Sequence, residues 1–242
     1  MESFGITDIG RRREVNQDFI FCSDSPIGLL SNLYIVADGM GGHKAGDFAS
    51  RFSVTTFERE VRETKARTII GSMESALRQA NELLLKEAME EPEYEGMGTT
   101  LVAATLEGKR LYIANVGDSR LYIINEEVGI RQIIQDHSLV EQKILRGELD
   151  RKEAKNHPEK NVITRAIGAA EQIVPDFFEV EVEEEDYILL CSDGLTNMVE
   201  DSIIQTIVRK RELSLKDKGQ QLIDLANENG GRDNISLILI HI

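Results

Sequence analysis

Tyr34–Gly46 reads YIVADGMGGHKAG. The apolar run Leu33–Ala37 has the length and β-branched content of a buried strand. It is expected to stop at Asp38, where Gly39, Gly41 and Gly42 follow with only Met40 between them. A carboxylate at the mouth of a buried strand, beside backbone without side chains, suits a hard cation or a phosphate. The stretch alone fits a strand closed by a glycine turn equally well, so the decision passes to the other aspartates.

Asp193-Gly194 follows the apolar segment 186–191, and Asp118 follows another through Asn115-Val116-Gly117. Asp233 precedes a final apolar strand, and Asp18 opens one near the start of the chain. A single aspartate at a strand end is ordinary turn chemistry. Five of them, at Gly- or Asn-flanked junctions, are a pattern. Carboxylates gathered in low dielectric repel one another unless divalent cations neutralise them, and all-oxygen ligands favour Mg²⁺ or Mn²⁺ over Zn²⁺.

The rest of the chain supplies a frame. Residues 2–24 read as two strands about the polar turn Gly10-Arg11-Arg12-Arg13-Glu14, in which Arg13 stands five residues before Asp18. Helices are expected over 47–65 and, on a continuous i, i+3, i+4, i+7 stripe, from Ile69 to Ala88. Residues 99–106, 110–116 and 119–124 read as an antiparallel meander, with a further strand at 131–134. Residues 136–165 are polar and irregular, with short helical patches at 139–145 and 152–155; a stretch of this length is expected to be a flap, centred on 138–165. His137 and His157 are expected to order that flap. Strands at 174–182 and 186–191 enclose the acidic run 179–186, read as a solvated hairpin, and helices at 202–208 and 215–226 precede the last strand, 235–242. No repeat or linker interrupts the 242 residues, so one domain is expected. This order predicts an α+β fold in which helix pairs cover both faces of stacked antiparallel sheets.

Composition excludes several functions. Forty-three acidic residues against 28 basic ones give a net charge of −15, which repels nucleic acid and anionic membrane surfaces. No apolar run approaches the roughly 20 residues that span a bilayer, and no signal peptide is evident, so a cytoplasmic location is the default expectation. Cys22 and Cys191 both lie in apolar segments without a CxxC, and buried reduced thiols are expected.

Arg13-x-x-Asn16-Gln17-Asp18, Val36-Ala37-Asp38-Gly39-Met40-Gly41-Gly42-His43, Gly98-Thr99-Thr100, Val116-Gly117-Asp118-Ser119-Arg120, Cys191-Ser192-Asp193-Gly194-Leu195 and Gly231-Arg232-Asp233-Asn234 stand in this order along the chain. The set resembles the metal-dependent, 2C-type protein Ser/Thr phosphatases, most closely their compact bacterial members, from about Gly5 to the C-terminus. Each motif alone is weak; the ordered set is specific. The resemblance implies a four-layer α-β-β-α sandwich and hydrolysis of phosphoserine and phosphothreonine by water or hydroxide activated at a binuclear Mn²⁺ or Mg²⁺ centre. It implies that Asp38 bridges two metals, that the Gly39 carbonyl binds one of them, and that Asp193 and Asp233 hold the other. It further implies that Asp18 orients the attacking water, that Arg13 holds the substrate phosphate, and that Asp118 belongs with Asp193 to a third metal. By the same resemblance the partners are phosphorylated proteins, targets of a bacterial Ser/Thr kinase, and the protein is expected to be a monomer.

A general acid must protonate the leaving serine or threonine oxygen, and His43 is the nearest candidate. Eukaryotic members carry a histidine directly after the Asp-Gly pair, where Met40 stands here, which leaves that role open. Thr99 and Thr100 are expected either in the core or just behind the residues of the site. A cysteine-based phosphatase needs Arg six positions after its Cys, but Asn197 and Gly28 occupy those places. An aspartyl-phosphate mechanism needs a second Asp two residues on, where Met40 and Leu195 stand. The alternatives that survive are a partner-switching phosphatase dedicated to one regulatory protein and a non-catalytic pseudophosphatase.

Overall fold

The computed structural model describes residues 1–42, 44–154 and 157–242. Two antiparallel sheets form its centre. One has the strand order β1 (Glu2–Asp8), β11 (Ile235–His241), β10 (Tyr187–Cys191), β7 (Arg120–Asn125), β8 (Gly129–Gln132). The other runs β2 (Asp18–Ser23), β3 (Leu33–Met40), β5 (Leu101–Glu107), β6 (Arg110–Val116), β9 (Asp176–Glu181), with the short β4 (Gly98–Thr99) paired to the end of β3.

The apolar strands read as continuous runs because both of their faces are covered. On β3, Ile35 and Ala37 pack against α1 (Ala45–Glu63) and α2 (Ile69–Glu90), while Tyr34 and Val36 meet the other sheet. On β11, Leu237 and Leu239 face α6 (Asp201–Val208) and α7 (Leu215–Glu228), while Ile238 and Ile240 face inward between the sheets. Period-two alternation thus feeds three apolar layers, and the result is the α-β-β-α sandwich. No helix is long and apolar enough to cross a membrane, among the described residues.

Long-range pairing departs from the local reading in several places. β3 does not stop at Asp38: Gly39 and Met40 continue it, because β4 supplies backbone partners at Thr99 and Gly98. The expected three-strand meander is split. β5 and β6 form a hairpin, but β7 belongs to the opposite sheet, and Gly117, at φ +115°, makes the crossing. A side chain there would also strike Thr100, whose Cβ lies 2.5 Å from the position a Cβ would take. The acidic run 179–186 is likewise no hairpin, since β9 pairs with β6 and β10 with β7 and β11. The strand expected at 131–134 is β8, two residues earlier, set by its register with β7. Cys22 is exposed and Cys191 is buried, both free thiols.

The flap carries α3 (Leu139–Leu145), capped by the Ser138 hydroxyl, and α4 (Arg151–Ala154). The ion pairs Arg151–Glu141 (2.9 Å) and Lys143–Glu159 (2.5 Å) tie it together. Lys155, at the end of the expected patch 152–155, lies outside the described residues, as does His43, the candidate general acid. Asp193, just past the end of β10, opens the short helix α5 (Asp193–Thr196).

Candidate active site

The aspartates collect at one end of the sandwich. Asp18 opens β2 directly opposite Asp38 on β3. Asp118 follows β6, Asp193 follows β10, and Asp233 precedes β11, so each sits where a strand meets its loop. Their proximity is recorded electrostatically. Burial, then the charges of Asp18, Asp193, Asp118 and Asp233, push the Asp38 carboxyl well above the usual carboxylate range. Asp118 is also pushed well above it, first by burial and then by Asp193 and Asp136, with Arg120 opposing. Burial is again the main cause for Asp18, at about 7, and for Asp193, at about 6.

Neutral side chains hold this repelling group in place. Ser192 Oγ donates to Asp18 Oδ2 (2.8 Å), and the nearby Ser236 hydroxyl favours the ionised Asp18 carboxylate. Asn197 Nδ2 donates to Asp193 Oδ2 at 2.8 Å. Under Asp38, Thr100 Oγ1 accepts from its backbone N–H (2.9 Å) and Thr99 Oγ1 donates to its carbonyl (2.9 Å). Both threonines are buried, and both hydrogen-bond the Asp38 backbone. Arg120, half-buried at the start of β7, grips Asp136 through Nε and a 2.6 Å contact from its second guanidinium nitrogen, and its charge opposes the rise at Asp118 and Asp193. None of Ser192, Ser236, Asn197 or Arg120 was assigned a role from sequence. The available signal was a polar residue inside or beside an otherwise apolar strand.

Arg13 lies half-exposed on the β1–β2 loop and donates to Asp233 Oδ2 at 2.8 Å. That bond, with the charges of Asp233, Asp38 and Asp193, raises its pKa. Arg13 thus faces the carboxylates and still reaches solvent. His137 stands at the flap entrance, where its carbonyl accepts from Thr164 N–H (2.7 Å). Its Nδ1 accepts from Gly117 N–H (3.1 Å), leaving Nε2–H for Asp176 Oδ2 at 3.0 Å. Burial lowers its pKa, so this neutral tautomer persists. His157 Nδ1 accepts from Glu159 N–H within the flap.

Among the described residues, no three acidic, His or Cys side chains close into a ready-made metal cage. The donor set nevertheless fits hard divalent cations. Oδ1 of Asp18, Asp118 and Asp193 is in each case buried without a hydrogen-bond partner, so an oxygen acceptor at each stands unused.

The family model described as Protein phosphatase 2C matches residues 3–235. The chain belongs to the protein phosphatase 2C family. It is 41% identical over 242 residues to the serine/threonine phosphatase stp of Listeria monocytogenes, covering 97% of this chain and 93% of that protein. The structure of the Streptococcus agalactiae serine/threonine phosphatase matches with a TM-score of 0.89 at 39% identity, covering 100% of this chain and 99% of that one. The catalytic domain of the serine threonine protein phosphatase PstP, in complex with two manganese ions, matches at 29% identity with a TM-score of 0.85, covering 98% and 96% of the two chains. The chain is accordingly a serine/threonine protein phosphatase with the fold of its family.

The phosphatase's carboxylate cluster has a consequence for stability. Asp18 and Asp193 titrate at about 7 and about 6 when folded, above the ordinary value of 3.8. Between these values the folded state binds more protons than the unfolded one, so stability falls as pH rises through that window. In chelator, the thermal midpoint is expected to fall between about pH 5 and about pH 8, and excess Mn²⁺ at the higher pH to restore it, because the cation replaces the lost protons. A midpoint in chelator that is flat or rising over this range contradicts the cluster's electrostatics.

Proposed function

We propose that this phosphatase hydrolyses phosphoserine and phosphothreonine in proteins at a centre of two divalent cations, Mn²⁺ or Mg²⁺. Asp38, the Gly39 carbonyl, Asp193 and Asp233 would hold them, and Asp118 with Asp193 would serve a third. The observation that carries this reading is the convergence of buried carboxylates around Asp38, three of them with unpartnered oxygens. When bound, such cations neutralise the cluster, polarise the phosphoryl group and acidify water.

The chain's own groups divide the remaining work. The Arg13 guanidinium is planar and permanently charged, so it takes two phosphate oxygens at once. Asp18, fixed by Ser192, accepts a hydrogen bond from the attacking water and aligns it with the phosphorus. Phosphate-monoester hydrolysis is slow because charge must be neutralised and water positioned, and these are the two things the residues supply. The apolar layer shared by both sheets supports reading residues 1–242 as one catalytic domain. We place the phosphatase in the cytoplasm, as a monomer, opposing a Ser/Thr kinase whose phosphorylated targets are its substrates.

The test is phosphate release from phosphoserine and phosphothreonine peptides. Mn²⁺ is expected to support turnover and chelator to abolish it. Turnover undiminished in chelator would refute the cation centre, and no turnover with either metal would favour a pseudophosphatase.

A further inference from the structure

Asn234 sits beside the cluster, is only 3% exposed, and has no role in the chemistry proposed above. All of its carboxamide is used on one loop. Its Nδ2 donates to the carbonyls of both Ile9 (2.9 Å) and Val15 (3.0 Å), and its Oδ1 accepts from Gln17 N–H (2.8 Å). Residues 10–14, with Arg13 among them, bulge out between the two carbonyls that this single amide draws together. The opposite side of the bulge is held by backbone, Arg11 N–H to Gly231 O at 2.7 Å. The same Asn234 donates its own N–H to Asp233 Oδ1 at 2.8 Å, and Arg13 meets Asp233 at the other oxygen.

We infer that Asn234 is a positioning residue for substrate phosphate. It closes the base of the Arg13 loop and sets the distance between the guanidinium and the carboxylates that flank it. This rests on the reading of Arg13 as the phosphate anchor. A five-residue bulge released at its base gains conformational freedom, and an anchor that must be re-ordered at each encounter binds more weakly. The penalty falls mainly on phosphate binding, because the Asp18 carboxylate and the Asp38 backbone keep their own hydrogen bonds, from Ser192 and from Thr99 and Thr100.

The experiment compares Asn234→Ala, Arg13→Ala and the double variant in Mn²⁺ with a phosphothreonine peptide. Asn234→Ala is expected to raise KM, and the inhibition constant for inorganic phosphate, about tenfold, with kcat changed less than about threefold. The double variant is expected to show no higher KM than Arg13→Ala alone, since both act through one guanidinium. Hydrogen exchange at residues 9–17 is expected to quicken in Asn234→Ala. Asn234→Ser, whose one hydroxyl proton cannot hold both carbonyls, tests the same point with a smaller cavity. A fall in kcat at unchanged KM, or additive KM effects, overturns the role of Asn234 while Arg13 stands. An unchanged KM in Arg13→Ala removes the anchor itself, and this proposal with it.

Discussion

Asp193→Asn is expected to lower kcat/KM by about 10³-fold or more in Mn²⁺, since the cation's share of charge stabilisation is several kcal/mol. The same substitution is expected to stabilise the chelated protein at pH above 7. Asp193 is half-buried with its Oδ1 shut away from solvent, is repelled by Asp233 and Asp136, and titrates at about 6 instead of 3.8. At about 1.4 kcal/mol per unit, removing that charge is worth roughly 3 kcal/mol before any lost hydrogen bond is counted. Asparagine keeps the shape and can still accept from Asn197 Nδ2. A purely structural aspartate would show the opposite pairing, with loss of stability and little loss of rate. Turnover assays and thermal unfolding in chelator, run on one preparation, separate the two. Unchanged turnover would remove Asp193 from the proposed centre.

Gly39→Ala is the second large effect, and its cause is packing. A Cβ at Gly39 would lie 2.0 Å from Gly46 O, 2.6 Å from Gly46 C and 2.7 Å from Gln17 O. These are backbone atoms of α1 and of the segment entering β2, so no side-chain rotation relieves the clash. Overpacking of this kind costs about 3 kcal/mol, or roughly 6–12 °C in the thermal midpoint of a chain of this size. The strand end would move away from α1, carrying the Asp38 peptide with it. A displacement near 1 Å at a reacting centre costs about a hundredfold in rate. Both losses are expected together, read by thermal unfolding and by kcat/KM. Wild-type stability in Gly39→Ala would show that the β3–α1 approach is looser than the structure has it.

By the family resemblance, Gly39 is spared a side chain so that its carbonyl reaches a cation and phosphate has room. The structure adds that Gly39 packs on Gly46 at the start of α1, a contact no local pattern reveals. The aspartates were legible because each sits at the end of an apolar run with Gly or Asn beside it, and a strand end is a local property. Their shared location was legible only through the resemblance of the ordered motifs to a family. The supporting residues were not legible. Ser192 reaches Asp18 across 174 residues of chain, and Asn234 reaches Val15 across 219. Neither spacing carries a period.

The order of elements, the apolar faces and the acids are local properties, because hydrophobic period and residue type act over a few neighbouring positions. Only the tertiary structure decided which sheet each strand joins. β6 and β7, and again β9 and β10, are separated by short turns yet lie in different sheets, since a strand buried on both faces pairs equally well in either until its partners are fixed. That choice brings the Tyr34–Gly46 stretch, the Asp193 turn and the terminal Asp233-Asn234 pair to one end of the sandwich. There, mutual repulsion among buried carboxylates turns ordinary strand ends into a site.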